Sequence, residues 1–207
     1  MCAFSLEVIA AAKDVLLGFA ALSTAAIAFI GLKSWRRELK GRAEFEAARD
    51  LIRVTYKLRD EIQSCRSPFV SGHEFPESYR DSYGKKSQKE EADGWRHVYN
   101  ARWKTVGVVI QEFDAQSLEA EALWGEDVRS LTNTLRQCAN KLYVAIEMLI
   151  SNYEDGGETF GTDRKLGQKI RADVSASVGT EGNALSLDIE MAINGIEQKI
   201  RPHLNRG

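Results

Sequence analysis

The sequence predicts an all-α chain, with one N-terminal transmembrane helix continuing into a bundle of about four helices. Three observations carry that prediction. An uncharged apolar run lies near the start, only three prolines occur in 207 residues, and apolar residues recur further on at steps of three and four.

From Val15 to Leu32 the chain reads VLLGFAALSTAAIAFIGL, without a charge. A helix of that length spans roughly 27 Å, close to the thickness of a bilayer's hydrocarbon core. A core helix of a soluble protein keeps a polar stripe, whereas this run is apolar on every face. In a cleavable signal peptide the positive charge precedes the apolar stretch. Here Lys33, Arg36, Arg37, Lys40 and Arg42 follow it against the single Glu38, while Glu7, Lys13 and Asp14 precede it. The positive-inside rule then sets the N-terminus out and the rest of the chain in the cytoplasm. Trp35 lies among these cations, where an indole suits the headgroup region; Lys33, Trp35, Arg36, Arg37 and Lys40 are therefore candidate lipid-headgroup contacts. Gly18, Ala21, Ala25 and Ala28 share one helical face, a candidate transmembrane packing face for a second copy.

Residues 1–42 form the anchor and its basic flank, and 43–207 the helical body. The net charge of −2 conceals an asymmetry. The first 42 residues hold six basic and three acidic side chains, leaving 22 and 27 in the body. A mildly acidic body without a basic stripe argues against nucleic acid as a partner.

In the body, Phe45, Ala48, Leu51, Ile52, Leu58 and Ile62 continue the helical register of the anchor to about Cys65, so anchor and body are expected to share a helix. Arg66-Ser67-Pro68-Phe69 ends it, because the residue before proline is pushed out of the α region. A long polar loop follows over about 66–89, with Gly72, Pro76 and Gly84. Its aromatics Phe69, Phe75, Tyr79 and Tyr83 are expected to pack over the body. Trp95, Tyr99, Trp103, Val106, Ile110 and Phe113 mark a second helix whose aromatic stripe reads as core. Trp124, Val128, Leu131, Leu135, Cys138, Leu142, Ala145 and Leu149 mark a third, with the seam of a coiled coil. The turn Asp155-Gly156-Gly157, with Gly161, breaks it. Leu166, Ile170 and Val174 predict a short helix before Gly179 and Gly182. A last helix carries Leu185, Ile189, Ile193, Ile196 and Ile200 and is expected to stop at Pro202.

No catalytic, cofactor-binding or metal-binding residue emerges. The histidines His73, His97 and His203 stand in no ligand motif; Asp93 and His97 are the best-spaced pair, yet two ligands make no site. Gly156-Gly157-x-x-x-Gly161 lacks the lysine of a phosphate loop. Glu119, Glu121 and Glu147 read as solvated helix-face carboxylates. Cys2, Cys65 and Cys138 are odd in number and far apart, which predicts no disulfide framework and no zinc site.

Ala48-Arg49-Asp50-Leu51 to Tyr56-Lys57-Leu58-Arg59-Asp60, then Arg66-Ser67-Pro68-Phe69, and later Glu119-Ala120-Glu121-Ala122-Leu123-Trp124-Gly125 resemble a family of small bacterial membrane-anchored helical proteins without an assigned activity. The resemblance covers roughly residues 40 to 155 and implies a bacterial inner-membrane setting. Beyond membrane lipids, the expected partners are a cytoplasmic protein or a further copy of the chain. The functional expectation is a non-enzymatic interaction or scaffold protein, with a membrane-acting effector of defence or toxin type as the alternative.

Overall fold

The structure is a computed structural model that describes residues 2–80, 86–175 and 183–204, with the side chains of Lys13 and of residue 16 onward. Tyr83, Gly84, Gly179 and Gly182, and the side chains of Cys2, Glu7, Asp14 and Val15, lie outside the described residues. Among those described, the chain forms seven α-helices and a 3-10 turn, and no strand: α1 (Cys2–Cys65), the turn Gly72–Glu74, α2 (Glu77–Arg80), α3 (Gln88–Trp124), α4 (Glu126–Glu154), α5 (Glu158–Thr162), α6 (Arg164–Val174) and α7 (Ala184–Leu204). The backbone divides into two compact units, Met1–Phe45 and Glu46–Gly207, and the division falls inside α1.

The first unit is helical throughout its described residues. From Leu16 it belongs to the one described helix long and apolar enough to cross a membrane. The most apolar 18-residue window has a mean hydropathy of 1.8, and none of it is buried. Within the span, the Thr24 hydroxyl donates to the Ala20 carbonyl at 2.9 Å, so this polar group is satisfied by its own helix.

In the second unit, residues 46–65 of α1 bury Ala48, Leu51, Val54, Leu58 and Ile62. Phe45, at the head of that register, is 39% exposed instead. Cross-helix ion pairs fix the direction of each neighbour. Lys57 of α1 meets Glu112 of α3 at 2.7 Å, and Arg102 of α3 reaches back to the Ser67 carbonyl just past α1, so the two run antiparallel. Arg96–Glu154 (2.7 Å) and Arg129–Glu121 (2.9 Å) make α3 and α4 antiparallel. Lys199–Asp127 and Lys141–Asp188 do the same for α4 and α7. Arg66 to Ser186 at 3.0 Å closes α1 on α7. One apolar core joins these helices, with Leu51, Leu58, Leu135, Leu142 and Ile200 fully inaccessible to solvent. Each such side chain contributes about 1.5–3 kcal/mol through burial.

Four boundaries differ from the sequence expectation. Trp124 is the last residue of α3, not the first of the next helix, because Gly125 takes φ 78° and caps both α3 and α4. Glu119 and Glu121 accordingly belong to α3. The 66–89 stretch is not a plain loop, since it holds the Gly72–Glu74 turn and α2. Gly161 lies within α5. Pro202 lies inside α7, which continues to Leu204; so close to the helix end a proline removes one hydrogen bond and few turns remain to be disturbed.

Candidate functional site

Two groups of residues stand out for what they do, one in each unit. On α1, Gly18, Ala21, Ala25 and Ala28 are all exposed. At 3.6 residues per turn they fall within about 80° of arc. A Cβ built on Gly18 meets nothing within 4 Å, so the face is open to an approaching helix.

Just beyond, Lys33, Trp35, Arg36, Arg37 and Lys40 are exposed as well. Arg42 is held by Glu38 at 2.8 Å, and Lys40 lies 3.8 Å from Glu44. Lys33, Arg36 and Arg37 form no ion pair among the described residues.

The second group is built on arginines. Arg66, only 3% exposed, ends α1 and inserts its guanidinium between α6 and α7. Its Nε donates to the Asp173 carbonyl at 2.8 Å and its Nη2 to the Ala172 carbonyl at 3.2 Å, satisfying orphan carbonyls at the C-terminus of α6. Nη2 also donates to Asn183 Oδ1 at 3.0 Å. That same oxygen accepts the Ser186 N–H at 3.0 Å and so caps α7. Burial pulls the guanidinium's pKa below its ordinary value and also lifts that of the neighbouring Asp173 carboxyl.

Arg102 does the equivalent work for the 66–74 stretch. It grips Glu74 with Nε at 2.6 Å and Nη2 at 3.0 Å, and donates to the carbonyls of Ser67 and Phe69, each at 2.8 Å. The hydrogen bond from Arg102 holds the Glu74 carboxyl below the usual carboxylate range. Glu74 also closes a capping box with Ser71, and Glu90 closes another with Ser87. Of the loop aromatics described, Phe75 stacks on Tyr79 at 4.5 Å and meets Trp95 of α3 edge-on at 5.3 Å, and Trp95 in turn lies parallel to Tyr153 of α4 at 5.6 Å. Phe69 is the exception, 79% exposed.

The remaining sequence candidates stay apart. Asp93 pairs with Arg96 rather than with His97. Glu121 pairs with Arg129, and Glu119 and Glu147 are exposed. Among the described residues no three His, Cys, Asp or Glu side chains converge as metal ligands would. The Gly156–Gly157 turn, at φ 70° and 90°, has its amides occupied: Asp155 Oδ1 accepts from Gly157 and Glu158, and Oδ2 accepts from Thr159. The chain thus supplies its own anion to that nest, led by the Thr159 hydroxyl, and the Asp155 pKa is lowered. Cys65 and Cys138 are buried free thiols, and burial pushes Cys65 up to about 11.

Several surface grooves line the body. One of about 690 Å³ between α3 and α4 is flanked by Asp114, Glu121, Arg129 and Arg136. These charges neutralise one another in the Arg129–Glu121 and Arg136–Asp114 pairs. Nothing in that groove has the geometry of a nucleophile beside a base.

Arg102 and Asn183 were not singled out by sequence pattern, and Arg66 only as the first residue of the stretch that ends α1. The two capping boxes were readable as S-x-x-E, at Ser71 to Glu74 and Ser87 to Glu90. No protein-family model, curated protein or solved structure matches the chain.

Proposed function

We propose that this chain is a single-pass, membrane-anchored interaction protein. Its N-terminus lies outside and its four long antiparallel helices form a non-enzymatic bundle in the cytoplasm, at a bacterial inner membrane. The observation that supports the reading is α1 itself: an apolar, wholly exposed span from Leu16, bounded by the cations Lys33 to Arg42. Such a surface is stable in water only when lipid or another apolar face covers it. The body's role is then to hold a cytoplasmic partner, or a second copy, at the bilayer. Carbonate extraction and protease protection of the expressed chain test the topology. Release by carbonate, or digestion of the body from the outer side, contradicts it. Affinity purification from membranes that recovers neither a partner nor a second copy removes the scaffold role.

A second reading is favoured by the open face at Gly18, Ala21, Ala25 and Ala28. In it the chain is a membrane-acting effector, and oligomers packed through that face perturb the bilayer. Overexpression then dissipates membrane potential, and Ala21→Leu or Ala25→Leu abolishes the effect. Unchanged potential and growth, including under phage challenge, rejects it.

A further inference from the structure

We infer that α1 carries a recognition face for anionic phospholipid headgroups, formed by Lys33, Arg36, Arg37 and Lys40. This deepens the membrane reading above and rests on it. The four cations are spaced i, i+3, i+4 and i+7, and so fall within about 100° of arc on one side of the helix. All four are exposed, and three have no ion-pair partner among the described residues. The contrast with the remaining cation is informative. Arg42 lies on the other side of the helix, together with Glu38, and those two charges neutralise each other at 2.8 Å. The Glu38–Arg42 pair faces one way and the unpaired Lys33, Arg36 and Arg37 the other, with Lys40 on their side 3.8 Å from Glu44, so the flank is not a uniform ring of positive charge.

Position along the helix completes the inference. Lys33 directly follows Leu32, the last residue of the uncharged run, and Lys40 lies about two turns, or roughly 11 Å, further on. The headgroup layer beside the hydrocarbon core is roughly 5–8 Å deep, so on a helix along the bilayer normal Lys33, Arg36 and Arg37 fall within it and Lys40 reaches back to it with its long side chain. Arginine at two of the four positions offers a planar fork for phosphate oxygens as well as charge. Trp35, 58% exposed in the same stretch, marks the interface. The small-residue face is centred about a quarter turn away, so a second helix packed there leaves the cationic side open to lipid.

Trp35 provides the readout. The full chain is reconstituted in phosphatidylcholine vesicles containing either brominated phosphatidylcholine or brominated phosphatidylglycerol, and the Trp35 signal is isolated by subtracting a Trp35→Phe variant from the four-tryptophan parent. The expected result is half-maximal quenching at an about fivefold lower mole fraction of the anionic lipid, reduced by 0.5 M salt. Lys33→Gln/Arg36→Gln/Arg37→Gln removes the preference, and the charge-conserving Arg36→Lys/Arg37→Lys retains most of it. Equal quenching by both lipids overturns the headgroup inference while leaving the membrane anchor intact. A preference unchanged in the triple variant also overturns it. Absence of quenching by either lipid overturns the anchor and the headgroup face together.

Discussion

Arg66 and Asn183 meet across 117 residues of sequence: the arginine's Nη2 donates to the asparagine's Oδ1 at 3.0 Å, and that oxygen in turn caps α7. One guanidinium thereby joins the end of α1, the end of α6 and the start of α7. Arg66→Ala leaves the Ala172 and Asp173 carbonyls without this donor at a part-buried helix end. The expected cost is about 3 kcal/mol, read as a lower midpoint in urea. Arg66→Lys recovers little, because one ammonium cannot span the separate acceptors.

The Arg102–Glu74 clasp gives a pH dependence of definite sign. The folded-state pKa of Glu74 lies below its ordinary value, mainly through the Arg102 hydrogen bond. Its contribution is therefore complete above the ordinary carboxylate pKa and is lost as pH falls through the lowered folded value. Urea midpoints of the parent and of Glu74→Gln are expected to differ most at pH 7 and to converge toward pH 3. A difference that grows on acidification contradicts the assignment.

Leu142 lies at the centre of the α4 seam and is fully inaccessible. Leu142→Ala is expected to cost about 3 kcal/mol by lost burial and cavity formation. Leu118, 67% exposed on α3, provides the control, and Leu118→Ala is expected to change stability by less than about 0.5 kcal/mol.

Burial keeps Cys65 protonated and Cys138 shielded. In a Cys2→Ser background, the folded chain is expected to be inert to a thiol reagent at pH 8 and to show two reactive thiols only in denaturant. Rapid labelling of either thiol in the folded state would show that the body opens locally at that helix.

Much of the core could be read from periodicity, because a side chain at a step of three or four must face one neighbour whatever that neighbour is. Val128, Leu135, Cys138, Leu142 and Ala145 obeyed this on α4, and Leu185 to Ile200 on α7. The same rule misplaced Trp124. The four-residue step from Trp124 to Val128 continues unbroken across Gly125, so the apolar pattern carries no trace of the chain reversal there. On α7 the tryptophan still has a partner, its ring lying 4.6 Å from that of His203. The arginine clasps were illegible for a different reason. Arg66 sits beside Pro68 in a helix-ending motif, and its acceptors are backbone carbonyls more than a hundred positions away, which leave no mark on composition or spacing. The cations from Lys33 to Lys40 were legible as candidate headgroup contacts, and the structure adds that Arg42 of the same flank is paired with Glu38.

Gly125 serves as the cap of two helices at once, so α3 and α4 reverse direction through a single residue. Closing so short a loop costs little chain entropy, and the contacts it brings together are near neighbours in sequence. The α3–α4 hairpin can therefore assemble while synthesis is still under way. Arg66, made earlier, has to wait until Ser186 has been made. Of the contacts that α1 makes, the Lys57–Glu112 pair with α3 needs no residue beyond α3, whereas the Arg66–Ser186 contact with α7 needs nearly the whole chain.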